Sequence, residues 1–304
     1  MEHAWYGAIE SGGSTFVCLV GASPGEVLAR TSFPTAEPAP TLSRAVDFFR
    51  EATAAHGVLS AIGIASFGPL ELRPAHPRFG FITATPKPGW TGTDIAGIIG
   101  GALGVPVGVD TDVNGGALGE GRWGAARGLD NFVYLTVGSG IGGAVVIDGQ
   151  LAHGLGHTEM GHLTVPRADG DDYAGQCPFH GDCLEGMAGG FAMEGRWGRP
   201  PERLTGDVLR QAVSWEAAYL AAGLRNIVYT TAPARIVVGG KVCGLPGLLP
   251  LVRERLARLL GGYPGLAEQA ADDFVVPSAL GGMAGPAGGL VLAERAAARA
   301  PRSL

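Results

Sequence analysis

The sequence predicts an α/β protein that uses one domain plan twice, on three observations. Short apolar strands alternate with helical stretches along the chain, the mark of α/β architecture. A strand, a glycine-rich turn and a second strand open the chain ("WYGAIE", "SGGS", "TFVCLV") and recur from residue 132 ("FVYLTV", "GSGIGG", "AVVID"). The 304 residues are about twice a typical domain. The 52 Gly and 21 Pro lie in a chain that is 46% hydrophobic without low-complexity tracts, so they punctuate folded domains rather than mark disorder.

Residues 5–10 and 15–20 form the first hairpin. Thr41 is expected to cap a helix that places Leu42, Ala45, Val46, Phe49 and Ala52 on one face and ends near His56-Gly57. A strand "AIGIASFG" follows, then the irregular "PLELRPAHPRFGFITATPKPGW", a helix over 94–103, the strand "VPVGVD" and a helix opening at "VNGGALGEGRWG". After the second hairpin, residues 206–231 read as a long helix with Leu209, Val213, Ala217, Leu220 and Leu224 in register. The strand "ARIVVGG", a helix over 247–260, the strand "FVVPSALGG" and the Ala-rich helix "GPAGGLVLAERAAARA" complete the chain. A boundary near 113 gives one domain of residues 1–113 plus the closing helix 288–304, and a second of residues 114–287.

Lys plus Arg total 22 against 28 Asp plus Glu, a net charge of -6 that argues against a nucleic-acid partner and favours small molecules. No basic segment precedes an apolar one at the N-terminus, and Gly, Pro or charge breaks every apolar run before membrane length, so a cytoplasmic protein without a membrane partner is expected. Cys18 and Cys243 sit in apolar contexts and read as small hydrophobes.

Gly138-x-Gly140-x-x-Gly143 formally meets the dinucleotide fingerprint, but a strand follows it where that motif needs a helix, and no P-loop is present. Each glycine turn is either a plain tight hairpin or a row of backbone N–H groups that grips an anion. Their repetition, with hydroxyls at Ser14, Thr15 and Ser139, favours two phosphate loops, Gly12-Gly13-Ser14-Thr15 and Gly138-Ser139-Gly140 with Gly142. "VPVGVDTDVN" places Asp110 and Asp112 where a strand ends and a helix starts. Asp110 or Thr111 is read either as a helix cap or as facing a ligand, while the Asp112 carboxylate suits removal of a proton from a hydroxyl.

Four of the seven histidines, at 153, 157, 162 and 180, share 31 residues with the two clustered cysteines. His162, Cys177, His180 and Cys183, spaced by 14, 2 and 2 residues, supply the N and S donors of a tetrahedral zinc site. A disulfide between the cysteines suits the expected cytoplasm poorly and leaves the histidines without a role. Four protein ligands close the site, so the metal is expected to clamp a loop rather than perform chemistry. His153 and His157 are read as surface histidines, and Glu159 and Glu185 either as surface carboxylates or as groups held beside the metal loop.

The segments "GAIESGGSTFV", "ITATPKPGW", "DTDVNGGALGEGRWG", "LTVGSGIGGAVVIDG", "GHTEMGHLTVPR", "CPFHGDCLEG", "RIVVGGKV" and "LGGMAGPAGG" together resemble the ROK sugar kinases, and within them the zinc-containing bacterial fructokinases. "TPKPGW" and "CPFHGDCLEG" are the most specific of these. The resemblance implies an actin-like, hexokinase-type (ribonuclease H-like) fold of two α/β domains, with ATP in the cleft between them, Mg2+ on its phosphates, and a homodimer. It assigns Asp112 as the base toward a hexose 6-hydroxyl, most readily that of fructose, and places Gly239 and Gly240 near the adenosine. Glu159, His162 and Glu185 are implied to contact the sugar, with Gly68 of "SFGP" and Thr111 beside it, so that His162 serves metal and sugar through different ring nitrogens. Sugar-sensing ROK regulators carry a helix-turn-helix ahead of the first hairpin, which here starts within ten residues of Met1, leaving a kinase for another acceptor (mannose, glucose, an amino sugar or a cyclitol) as the nearer rival. The chain departs from the pattern at Thr15, where this branch commonly has Lys, and at Gly190-Phe191, where relatives often have Gly-Pro and where a looser nucleotide contact is therefore expected.

Overall fold

The computed structural model describes residues 4–300. Strands β1 (Tyr6–Ser11), β2 (Thr15–Ser23) and β3 (Glu26–Pro34) lead into α1 (Pro38–His56), β4 (Ala61–Ser66), α2 (Ile95–Leu103), β5 (Val107–Thr111) and α3 (Asp112–Trp123). There follow β6 (Phe132–Val137), β7 (Ile141–Ile147), β8 (Gln150–Leu151), α4 (Leu184–Met187), α5 (Gly190–Trp197), α6 (Gly206–Thr231), β9 (Ile236–Gly239), α7 (Leu248–Leu260), β10 (Val275–Pro277) and α8 (Ala284–Arg299). Among the described residues no helix is long and apolar enough to cross a membrane.

The chain forms two compact units, each around one five-stranded sheet, in the orders β3-β2-β1-β4-β5 and β10-β9-β6-β7-β8. In the first, β1 pairs antiparallel with β2 and parallel with β4; in the second, β6 pairs antiparallel with β7 and parallel with β9. The two orders are therefore the same topology, and the repeat expected from the hairpins is a repeat of whole sheets.

Strand β4 is buried at all six positions and β2 at six of nine, as expected of strands covered on both faces. Strand β3 escaped the sequence reading because only Phe33 along it is buried, so no apolar period marks it. Its existence depends on edge pairing to β2. Helix α1 also starts earlier than expected: Pro38 opens it, and Thr41 lies inside the first turn with its Oγ1 accepting the Ala36 N–H at 3.1 Å. Proline is preorganised for a first helical turn, which explains the start without a side-chain cap.

Residues 4–127, 152–157 and 282–300 make the first unit, and 128–151 with 158–281 the second. The expected boundary at 113 and return at 288 both move because α3 packs along α8 and stays with the first sheet. That contact is between backbones, since a Cβ on Gly288 would lie 2.6 Å from Gly115 Cα, and α8 approaches β4 as closely, a Cβ on Gly63 lying 2.6 Å from Ala293 N. Between the sheet and helices α1 and α2, Ile9, Phe16, Phe49, Ile62, Ile64 and Trp90 belong to a core of fully buried side chains. At roughly 25 cal/mol per Å² and about 200 Å² for a large aromatic, Trp90 alone contributes about 5 kcal/mol of burial.

Candidate active site and metal centre

In the first unit, β5 delivers two aspartates to the start of α3, and their surroundings separate their roles. Asp110 is buried, and its Oδ1 accepts the Thr111 N–H at 2.8 Å and Asn114 Nδ2 at 2.6 Å. His153 Nε2 lies 3.0 Å from Asp110 Oδ2. These contacts, with a backbone N–H and with side chains of α3 and of the 152–157 segment, make Asp110 a group that organises the turn. Thr111 is the helix cap, buried, with Oγ1 accepting the Asn114 N–H at 3.1 Å. Asp112 is half-buried at the first helical position of α3 and accepts the Val113 N–H at 2.9 Å.

Glu10, on β1, belongs to this neighbourhood. Burial first, and then repulsion by Asp112, push its pKa up to about 7 against the pull of Arg30. The "SFGP" loop begins beside the same turn, since Ser66 pairs with Thr111 across β4 and β5. His157 Nε2 accepts the Leu70 N–H at 3.2 Å, and a Cβ on Gly68 would meet that nitrogen at 3.3 Å.

Of the two histidines read as surface residues, His153 is exposed and His157 half-buried, and neither joins the metal cluster. His153 keeps about a third of its side chain exposed, yet both have defined partners in the first unit, as part of the segment 152–157 that leaves the second unit and returns. Their partners lie 43 and 87 residues away, where no local pattern marks them.

The first glycine hairpin is held from outside. Gly12 N–H bonds to Thr15 O at 2.9 Å, while Thr35 donates its Oγ1 hydrogen to Gly12 O at 2.8 Å and its N–H to Ser14 O at 3.0 Å. In the second unit, Gly138 N–H bonds to Gly140 O at 3.0 Å, closing the turn before β7, on which Gly142 pairs with Thr136. Glu185 Oε2 accepts the Ile141 N–H at 2.9 Å. Gly190 and Phe191, opening α5, donate their N–H groups to Gly138 O at 2.7 Å and Ser139 O at 2.8 Å. The Phe191 amide donates where proline would have no N–H to give. One residue earlier, Gly189 N–H bonds to Glu216 Oε1 at 3.1 Å, and burial above all raises the Glu216 pKa to about 7. Gly239 ends β9 and Gly240 follows at φ 91°, where a Cβ would also meet Val137 N at 2.7 Å; only glycine fits.

His162, Cys177, His180 and Cys183 converge, with their donor atoms all within 4.8 Å of one another. His162 Nδ1 is 3.3 Å from His180 Nδ1, 3.7 Å from Cys177 Sγ and 3.6 Å from Cys183 Sγ, and Cys177 Sγ is 3.7 Å from His180 Nδ1. With zinc–nitrogen bonds of about 2.05 Å and zinc–sulfur bonds of about 2.3 Å, the edges of a tetrahedron come to roughly 3.3 Å for N···N and 3.6 Å for N···S. The four side chains thus fit such an ion in donor type and spacing.

The knuckle is built by backbone: Cys177 and Gly181 exchange N–H···O bonds at 3.2 and 3.0 Å, and Gln176 N–H bonds to Gly186 O at 2.8 Å. With its Nδ1 in the cluster, His162 turns Nε2 toward Glu159, 3.9 Å from Oε2. Glu159, His162 and Glu185 are thereby brought together with the second hairpin, and Gly68, Thr111 and Asp112 with one another in the first unit.

Comparison with known proteins agrees with this architecture. The chain is 41% identical over 290 residues to a fructokinase of Zymomonas mobilis, covering 95% of this chain and 96% of that one. It is 39% identical over 292 residues to a putative fructokinase of Bacillus subtilis, covering 95% of each. The crystal structure of a ROK hexokinase from Thermus thermophilus superposes with a TM-score of 0.78 at 27% identity, over 96% of this chain and 98% of that one, so the hexokinase-type duplicated fold is shown. The ROK family model matches residues 6–296. The chain belongs to the ROK family.

Proposed function

We propose that the protein is an ATP-dependent sugar kinase that phosphorylates D-fructose at its 6-hydroxyl. One observation carries the assignment of the base: of the two aspartates at the β5–α3 turn, Asp110 is buried and bonded to Thr111 N–H and Asn114 Nδ2, while Asp112 is half-buried on a helix N-terminus. The fructokinase names of the relatives at 39–41% identity support the acceptor.

In this reading the sugar O6–H proton passes to Asp112, O6 bonds to the γ-phosphorus of ATP, the bond to the β,γ-bridging oxygen breaks, and ADP leaves. Gly12, Gly13, Ser14 and Thr15 and the Gly138–Gly140 turn with Gly142 hold phosphates, and Gly239 and Gly240 admit the adenosine. Mg2+ accompanies the nucleotide and neutralises phosphate charge. Gly68, Thr111, Glu159, His162 Nε2 and Glu185 face the sugar. His162 Nδ1, Cys177, His180 and Cys183 hold a structural zinc ion, whose closed coordination leaves no site for an activated water.

An ADP-release assay over a panel of free sugars tests the reading. Fructose is expected to give the highest kcat/KM, and Asp112→Asn to lower kcat by about 10²- to 10⁴-fold with fructose binding retained. Turnover on another polyol alone overturns the acceptor, and near-native kcat in the variant overturns the base.

A further inference from the structure

The "TPKPGW" segment (residues 85–90) has no part in the chemistry above, yet it is tied to the first hairpin. Trp90 is fully buried against Phe16 and Phe67, with ring centroids 5.7 and 5.2 Å away, and its Nε1–H bonds to Ala36 O at 2.8 Å. Next to Ala36, Thr35 holds Gly12 O and Ser14 O. The segment itself is a tight turn, with Lys87 N–H bonded to Thr85 Oγ1 at 3.3 Å and Trp90 N–H to Lys87 O at 3.3 Å. From this anchor the Lys87 ammonium donates to Gly13 O at 2.7 Å, at the tip of the hairpin and 74 residues away in sequence.

An ammonium has three donors, so one bond to a carbonyl leaves two for another acceptor. Beside it, the Gly13 and Ser14 N–H groups make no hydrogen bond among the described residues, and Thr15 brings a hydroxyl but no charge. Lys87 and Lys241 are the only two lysines among 22 Lys and Arg residues, so the chain departs here from its general use of Arg. A compact point charge can rest on a carbonyl and still meet a phosphate, which the planar arginine fork does less well.

We propose that Lys87 is the cation the first hairpin presents to the β- and γ-phosphates of the nucleotide. The proposal rests on the reading of that hairpin as a phosphate loop. Lys87 is a binding and positioning group here, reached through the fold from a segment far from the hairpin in sequence.

The test compares wild type, Lys87→Met, Lys87→Arg and the double variant Lys87→Met/Thr15→Lys in steady-state kinetics, and by calorimetry with ATP and with AMP. Lys87→Met is expected to raise the ATP KM and Kd by about ten- to a hundred-fold, with AMP affinity, fructose KM and melting temperature nearly unchanged. Lys87→Arg should retain part of the affinity, and a lysine relocated to position 15 should recover part of what Lys87→Met loses. Unchanged ATP affinity in Lys87→Met overturns the proposal while leaving the phosphate loop standing. Equal losses for ATP, AMP and fructose with a lowered melting temperature also overturn it, since they mark a merely structural lysine. Absence of ATP binding by the wild type removes the phosphate-loop reading and this proposal together.

Discussion

Glu10 offers a quantitative check on the buried electrostatics behind Asp112. Its carboxylate lies against the backbone of α8, where a Cβ on Gly285 would overlap it, and burial, then Asp112, raise its pKa from 4.5 to about 7. At roughly 1.4 kcal/mol per pH unit, ionising it in the folded state costs about 3 kcal/mol. The folded pKa lies above the unfolded one, so the neutral acid's contribution is complete below pH 4.5 and is lost as pH rises to about 7. Glu10→Gln is isosteric and always neutral. Urea unfolding of both proteins between pH 4.5 and 8 should give equal stabilities at the acid end and a variant about 3 kcal/mol more stable above pH 7.5. Glu216, raised by burial to about the same value, is present in both proteins and cancels from the difference. A stability difference that does not change with pH refutes the burial and repulsion assigned to Glu10.

Gly288→Ala should destabilise the first unit, because the new Cβ would lie 2.6 Å from Gly115 Cα. Overpacking of about 1–3 kcal/mol exceeds the gain of roughly 1 kcal/mol in helix propensity, so a fall of a few degrees in melting temperature is expected, and an unchanged or higher one counts against the backbone contact. Elemental analysis should find close to one zinc per chain, and a chelator should lower the melting temperature of wild type but not of Cys177→Ser; zinc below half an equivalent in freshly purified protein contradicts the four-ligand site.

The metal knuckle was legible because its ligands lie within 22 residues and their types and spacing carry the chemistry. The hairpins were legible because glycine between two apolar strands has few other uses. What stayed hidden is long-range. Strand β3 is defined by its partner rather than by its own residues, and α3 belongs with the first sheet because glycine faces glycine across to α8, a contact without an apolar signature. Asp110 and Asp112 look alike in "DTD"; the partners that hold Asp110, Asn114 and, 43 residues on, His153, are not written in that triplet.

The second hairpin shows why substitutions in such motifs need the structure to be understood. Groups outside the hairpin hold it: Glu185 on Ile141, the Gly190 and Phe191 amides on Gly138 and Ser139, and the Thr158 hydroxyl on Gly143 O. Glu185 follows Cys183 by two residues, so the metal knuckle that positions His162 also positions the carboxylate that fixes the turn. Proline at position 191 would suit the first turn of α5 sterically and still remove one of those bonds, worth about 0.5–1.5 kcal/mol. Phe191 keeps its side chain exposed and contributes its N–H. What looked from the sequence like the loss of a rigid residue is, at the backbone, the gain of an anchor for the turn.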